Sequence, residues 1–214
     1  MEKLSEVNIQ IDGREMKVLQ GEKILWVALE HGIEIPHLCA IKENEPPWGG
    51  CRLCWVEVEG RGPVTACTQP VREGMVIWTN TLKVQRLRKR ALELILKDHP
   101  MDCKYCPKRS ECKLLQLMRL LHVKIPKDLR SYPGKNLPVD LSHPVLTFDP
   151  NRCILCGRCI WVVKNVTKCG IFDFAFRGYE MRISTFMGKP LRETDCNGCL
   201  KCAEVCPVGA LWGK

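Results

Sequence analysis

Apolar and polar residues alternate with a period of two in the first part of the chain, and change to a period near 3.6 after residue 80. Residues 7–11 (Val-Asn-Ile-Gln-Ile) predict a strand, Asp12-Gly13 a hairpin turn, and residues 15–19 the returning strand. Residues 23–31 carry Ile24, Leu25, Val27, Ala28 and Leu29 with Gly32 just beyond, the pattern of a short helix and its stop. Residues 55–59, 64–67 and 74–78 predict three further strands. From Leu82, the residues Val84, Leu87, Ala91, Leu94 and Ile95 fall on one helical face. Arg86, Lys89, Arg90, Glu93 and Lys97 fall on the other, so residues 82–97 predict an amphipathic helix with a solvated basic side. A second helix follows, with Leu114, Leu115, Met118 and Leu121 together. Residues 124–150 hold Pro126, Pro133, Pro138, Pro144 and Pro150 plus Gly134 and no apolar period, which reads as a linker. Residues 171–176 and 180–185 flank Arg177-Gly178 as a hairpin, with Phe172, Phe174 and Phe176 on one face as core or contact residues. Strands first and helices later make the class α+β, and strand–strand–helix is how a β-grasp domain begins.

Fifteen cysteines, an odd number, change this picture. A disulfide framework belongs to secreted chains, and the amino terminus carries no apolar signal segment. No apolar run is long enough to span a bilayer. The expectation is therefore a cytoplasmic chain without membrane insertion, its cysteines kept as thiolate ligands.

The cysteines fall into spaced groups. Cys153-x2-Cys156-x2-Cys159 and Cys196-x2-Cys199-x2-Cys202, followed by Cys206-Pro207, carry the signature of a two-cluster bacterial ferredoxin, in which each run's fourth cysteine serves the other cluster. Cys206 is thus expected to complete the Cys153, Cys156, Cys159 set. The corresponding position of the first run is Val163, and Cys169, six residues on, is assigned provisionally to Cys196, Cys199 and Cys202. A three-iron cluster or a ligand other than cysteine are the alternatives there. Cys39-x11-Cys51-x2-Cys54-x12-Cys67, with Gly49-Gly50 letting backbone approach the cofactor, suits a [2Fe-2S] cluster or zinc. His99-x3-Cys103-x2-Cys106-x5-Cys112 suits closed tetrahedral zinc or a cubane with one imidazole ligand. His31, His37, His122 and His143 lack ligand spacing and read as structural, and Trp48 and Trp55 as packing.

The formal charge is +9, densest at Arg86, Arg88, Lys89 and Arg90, which raises nucleic-acid binding as a reading. Cluster charges answer it: four clusters of these kinds bring about −7 and leave about +2, so no nucleic-acid partner is expected. Gly60-Arg61-Gly62 lacks the rest of a dinucleotide fingerprint, so no flavin or NAD(P) is expected on this chain.

The order of modules resembles the amino-terminal electron-transfer region shared by three proteins: the large iron–sulfur subunit of respiratory complex I, the diaphorase small subunit of NAD-reducing hydrogenases, and the iron-only hydrogenases, electron-bifurcating ones included. The residues carrying the likeness are Gly49-Gly50-Cys51-Arg52-Leu53-Cys54, the His99–Cys112 group, Cys153 to Cys159, and Cys206-Pro207-Val208-Gly209-Ala210-Leu211. The resemblance implies [2Fe-2S] on Cys39, Cys51, Cys54 and Cys67 and a cubane on His99, Cys103, Cys106 and Cys112. The second triplet is a feature of the iron-only hydrogenase type, and Val163 departs from it. The implied domains are a β-grasp domain at 1–81, a small helical cluster domain at 82–123, a linker at 124–148 and a two-[4Fe-4S] ferredoxin-like domain at 149–214. The implied role is a non-catalytic relay with one [2Fe-2S] and three [4Fe-4S] clusters, between a flavin- and NAD(P)-binding iron–sulfur subunit and a hydrogenase catalytic subunit. A formate dehydrogenase or a complex I-like assembly is the alternative partner, and a free-standing ferredoxin or a zinc-structured interaction protein the alternative class.

Overall fold

The computed structural model describes residues 5–124 and 135–214. It divides into two compact units, Met1–Leu92 and Glu93–Lys214.

The first unit holds the strands β1 (Glu6–Ile11), β2 (Arg14–Leu19), β3 (Trp55–Val58), β4 (Gly62–Thr65) and β5 (Val76–Trp78) and the helix α1 (Ile24–Glu30). The sheet order is β2-β1-β5-β3-β4. β1 runs parallel to β5 and antiparallel to β2, the arrangement expected when strands contiguous in sequence form a hairpin and a later strand returns beside the first. Alternation sends Val7, Ile9 and Ile11 inward, where they meet Ile24, Leu25, Val27 and Ala28 of α1. Each such buried aliphatic side chain contributes roughly 1.5–3 kcal/mol. Cys54 and Cys67 belong to the same core.

The helix α2 (Leu82–Lys97) has the predicted bounds, and its buried face shares Val84 and Ala91 with the expected one but is otherwise shifted. Val84, Arg88, Ala91, Leu92 and Leu96 are buried, whereas Leu94 is 71% exposed. The i, i+4 row Val84–Arg88–Leu92–Leu96 is the stripe turned inward. The sequence reading places Arg88, Leu92 and Leu96 on neither face and counts Arg88 only in the basic stretch.

The second unit holds α3 (Lys113–Leu120), β6 (Leu146–Phe148), α4 (Arg158–Asn165), β7 (Asp173–Ala175), β8 (Arg182–Ser184), α5 (Lys201–Glu204) and β9 (Leu211–Gly213). β7 and β8 form the expected hairpin. Phe172 is fully buried against Phe148, with ring centroids 5.3 Å apart, while Phe176 is 60% exposed. Part of the expected linker is regular structure: Leu146–Phe148 is buried throughout and pairs antiparallel with Leu211–Gly213. Three residues between Pro144 and Pro150 are too short a run for periodicity to show. Pro126, Pro133 and Gly134 lie outside the described residues. Among the described residues no helix is long and apolar enough to cross a membrane.

Candidate metal centres

In the first unit an irregular loop between α1 and β3 carries Cys39, Cys51 and Cys54, and Cys67 follows β4. The four thiols meet in two couples. Cys39 donates to Cys51 across 3.4 Å, and Cys54 donates to Cys67 in the same way. Accepting these bonds lowers Cys51, to about 6, and lowers Cys67, while the donors Cys39 and Cys54 are pushed up. Arg52 sits at φ +52 and Gly49 at φ +61, which turns the loop so that the Leu53 backbone reaches the Cys51 sulfur.

In the second unit both triplets share one backbone design. The residue before each middle cysteine and the residue after it are left-handed: Leu155 at φ +54 and Gly157 at +74 around Cys156, Gly198 at +70 and Leu200 at +60 around Cys199. The glycines fall at opposite places in the two runs, so each run also holds one leucine in a conformation costing on the order of 1–3 kcal/mol. That strain turns amides toward sulfur, as in the Leu155 N–H donation to Cys153 Sγ at 3.4 Å. Gly157 and Leu200 then serve as the N-caps of α4 and α5, so Cys159 and Cys202 lie buried in the first turns.

The fourth cysteines follow these helices. Cys153, Cys156, Cys159 and Cys206 line one enclosed cavity that Phe148, Ile183 and Leu211 help to close. Burial pushes the Cys153, Cys156 and Cys159 thiols up, Cys153 to about 12. Cys169 lies within the field of Cys196, which also feels Cys199, and Cys202 feels both Cys196 and Cys199. Val163 is buried in α4, which runs eight residues against four in α5, and its carbonyl accepts from Gly170 N at 2.9 Å. The longer helix and its closing turn carry the next cysteine to position 169.

Cys112 lies within the fields of Cys106 and Cys103. Cys112 caps α3, its sulfur accepting from Leu115 N at 3.5 Å. His99 lies against Arg152 and Asp102, and its ring bonds to the Arg152 backbone. Nδ1 is buried with no partner. Burial, then the charge of Arg152, lowers the imidazole to about 4, which keeps it neutral as a ligand nitrogen must be.

Two residues that spacing does not flag support these sites, Arg152 at the His99 group and His143 at the Cys196 group. Arg152 forks onto Asp102 at 2.7 and 2.6 Å and reaches Asp149 at 3.0 Å. His143, read as structural, accepts from Val145 N and Leu146 N at Nδ1, so its Nε2 donates to the Cys196 carbonyl at 3.4 Å. No spacing rule flags either; a charged residue directly before Cys153 is the one hint the sequence held.

Among the described residues no three His, Cys, Asp or Glu side chains converge as ligands of a single ion do. The donor sets fit iron–sulfur clusters on their chemistry: clustered thiols, buried or half-buried apart from Cys199, amides turned toward sulfur, and an unpartnered imidazole nitrogen.

Comparison with known proteins agrees with this chemistry region by region. Residues 5–82 match the 2Fe-2S iron-sulfur cluster binding domain family. Residues 88–126 match the NADH-ubiquinone oxidoreductase-G iron-sulfur binding region, and residues 143–212 the ferredoxin-like domain of NADH-quinone oxidoreductase subunit 3. The NADPH-Fe(3+) oxidoreductase subunit alpha of Geobacter sulfurreducens is 36% identical over 209 residues, covering 97% of this chain and 24% of that protein. The NADP-reducing hydrogenase subunit HndD of Solidesulfovibrio fructosivorans is 36% identical over 217 residues, covering 97% and 36%. The chain thus spans about a quarter to a third of these curated relatives. A chain in a crystal structure of NAD+-reducing [NiFe]-hydrogenase in the H2-reduced state superposes with a TM-score of 0.87 at 30% identity, covering 98% of this chain and 88% of that one. A shared architecture along nearly the whole of both chains, with each cysteine group inside an iron–sulfur region, places the protein in the family of iron–sulfur subunits common to NAD(P)-linked hydrogenases and NADH dehydrogenases.

Proposed function

We propose that the chain is a non-catalytic electron relay, binding one [2Fe-2S] cluster through Cys39, Cys51, Cys54 and Cys67 and three [4Fe-4S] clusters. The cubane ligand sets are His99, Cys103, Cys106 and Cys112; Cys153, Cys156, Cys159 and Cys206; and Cys196, Cys199, Cys202 and Cys169. The observation that carries the reading is the exchange of fourth cysteines between two triplets of the same backbone design, Cys206 beside the first and Cys169 beside the second.

When bound, the clusters supply one-electron storage without bond making. The chain's own contribution is to hold sulfur donors in place, aim amides at them and exclude water. Phe148, Ile183 and Leu211 do the last for the cavity of the first triplet. Amide bonds, net charge and solvent exposure set potential, so these residues decide how readily an electron is accepted. The partners are inferred from the relatives' names: a flavin- and NAD(P)-binding iron–sulfur subunit on one side and a hydrogenase catalytic subunit on the other. The hydrogenase chain is favoured over a formate dehydrogenase because the likeness that runs along both chains is to a hydrogenase. The domain limits that go with this reading are 1–81, 82–123 and 149–214, with strand β6 added to the last.

The test is metal analysis of anaerobically purified protein with electron paramagnetic resonance during stepwise reduction. The expected result is about 14 irons per chain and separable two-iron and four-iron signals. A total of about 13 with an oxidised three-iron signal would remove Cys169 from the ligand set. Zinc without reducible iron would overturn the relay.

A further inference from the structure

Arg88 stands in the middle of α2 with 5% of its surface exposed. One guanidinium nitrogen donates to the Trp55 carbonyl at 2.6 Å, one residue after Cys54, and Nε has no partner. A cation so buried needs a counter-charge, since leaving it unpaired in a low-dielectric surrounding is strongly unfavourable. The anionic groups whose fields reach it are Cys54 first and Asp12 second. Asp12 is already committed, accepting from Thr79 N at 2.7 Å and from Thr79 Oγ1 at 2.5 Å. With neutral thiols the guanidinium keeps only the weaker field of Asp12, and burial lowers Arg88 to about 10. With four thiolates around two ferric ions the site carries about −2 and provides the counter-charge.

We propose that Arg88 is the buried counter-ion of the [2Fe-2S] site and sets its reduction potential above those it would have with a neutral residue in that place. The proposal rests on the reading that Cys39, Cys51, Cys54 and Cys67 hold a two-iron cluster. An electron entering the site breaks no bond and takes its charge from about −2 to about −3. A fixed positive charge on the Cys54 side therefore stabilises the reduced form more than the oxidised one, and low exposure keeps salt from screening it. Arg88 is a positioning and charge-setting residue here, not a ligand. Its hydrogen bond to Trp55 also anchors α2 to the first residue of β3, which fixes the guanidinium relative to the Cys54 sulfur.

The experiment is a redox titration of the full anaerobic chain, with dithionite as reductant, following the two-iron and four-iron signals separately in wild type, Arg88→Gln and Arg88→Lys. Arg88→Gln is expected to lower the two-iron midpoint while the four-iron midpoints stay in place, and Arg88→Lys to restore most of the shift because the charge returns. An unmoved two-iron midpoint in Arg88→Gln would overturn the proposal, as would an equal shift in Arg88→Lys. If Arg88→Gln carries no two-iron signal, Arg88→Lys decides. Retention of the signal near the wild-type midpoint supports a charge role, and its loss refutes one in favour of shape. Absence of a two-iron signal in wild type instead refutes the ligand assignment on which the proposal stands.

Discussion

A β-carbon added at Gly209 would lie 2.5 Å from the Cys106 sulfur and 3.5 Å from Arg152 Cδ. Real side chains do not tolerate the first distance, and Gly209 is not in the left-handed region, so contact alone is what the glycine avoids here. The sulfur concerned is an expected ligand of the histidine-containing cluster, and a shifted ligand loosens the site. Gly209→Ala is expected to remove about four irons per chain and one four-iron signal. The two-iron signal should keep its amplitude, because its four cysteines lie in the other unit. Iron analysis and paramagnetic resonance on the same sample check both statements, and full iron content would show that Cys106 can give way. Gly209 belongs to the Cys206–Leu211 motif, but nothing in the sequence marks this contact, because Cys106 and Gly209 are 103 positions apart and only folding brings them together. The ligand candidates themselves were legible for the opposite reason. A two-residue spacing is local, and a local spacing fixes which sulfurs can face one cluster.

Elements were legible where the pattern was long and misread where it was short or carried a charge. Six-residue β1 and β2 and sixteen-residue α2 emerged from periodicity with nearly the right bounds, whereas three-residue β6 lay unseen in a proline-rich stretch. At α2 the expected apolar face included Leu94, which is exposed, and left out Arg88, which is buried. The helix α4 explains the one irregularity in the cysteine pattern. Its added turn buries Val163 where a fourth cysteine was due, and Gly170 at φ +60 with Lys168 at φ +56 reverses the chain around Cys169. The Thr167 hydroxyl lies 3.1 Å from the Cys169 sulfur, a contact that orients it. If the lengthened helix delivers a ligand, Cys169→Ser should cost about one iron and give an oxidised three-iron signal. The companion cavity of Cys153 and Cys206 should stay loaded. Unchanged iron with no new signal in that variant would assign the fourth position to another group.

At the scale of the whole molecule the quantity to explain is charge. The formal value is +9 with cysteines neutral, and Arg88, part of the densest basic stretch, is buried and not available to a surface partner. Loading four clusters brings about −7, so the oxidised holoprotein should carry about +2. Zinc in the same four sites would bring a similar change, because a divalent ion among thiolates is equally overbalanced. Reduction separates the two. Each cluster accepts one electron without gaining a proton from its ligands, so full reduction adds about −4 and takes the molecule to about −2. Zinc has no such step. Anaerobic electrophoresis near pH 7 is therefore expected to show the oxidised chain moving toward the cathode and the fully reduced chain toward the anode, with no change in mass. A mobility indifferent to reductant would mean redox-silent metal in every site. A reversal of sign would also bear on assembly, since the attraction between this chain and a charged partner would then depend on how many electrons it holds. Raising the salt to about 1 M, where the screening length falls to about 3 Å, should remove that dependence from the association rate and leave the potentials of the buried sites nearly unmoved.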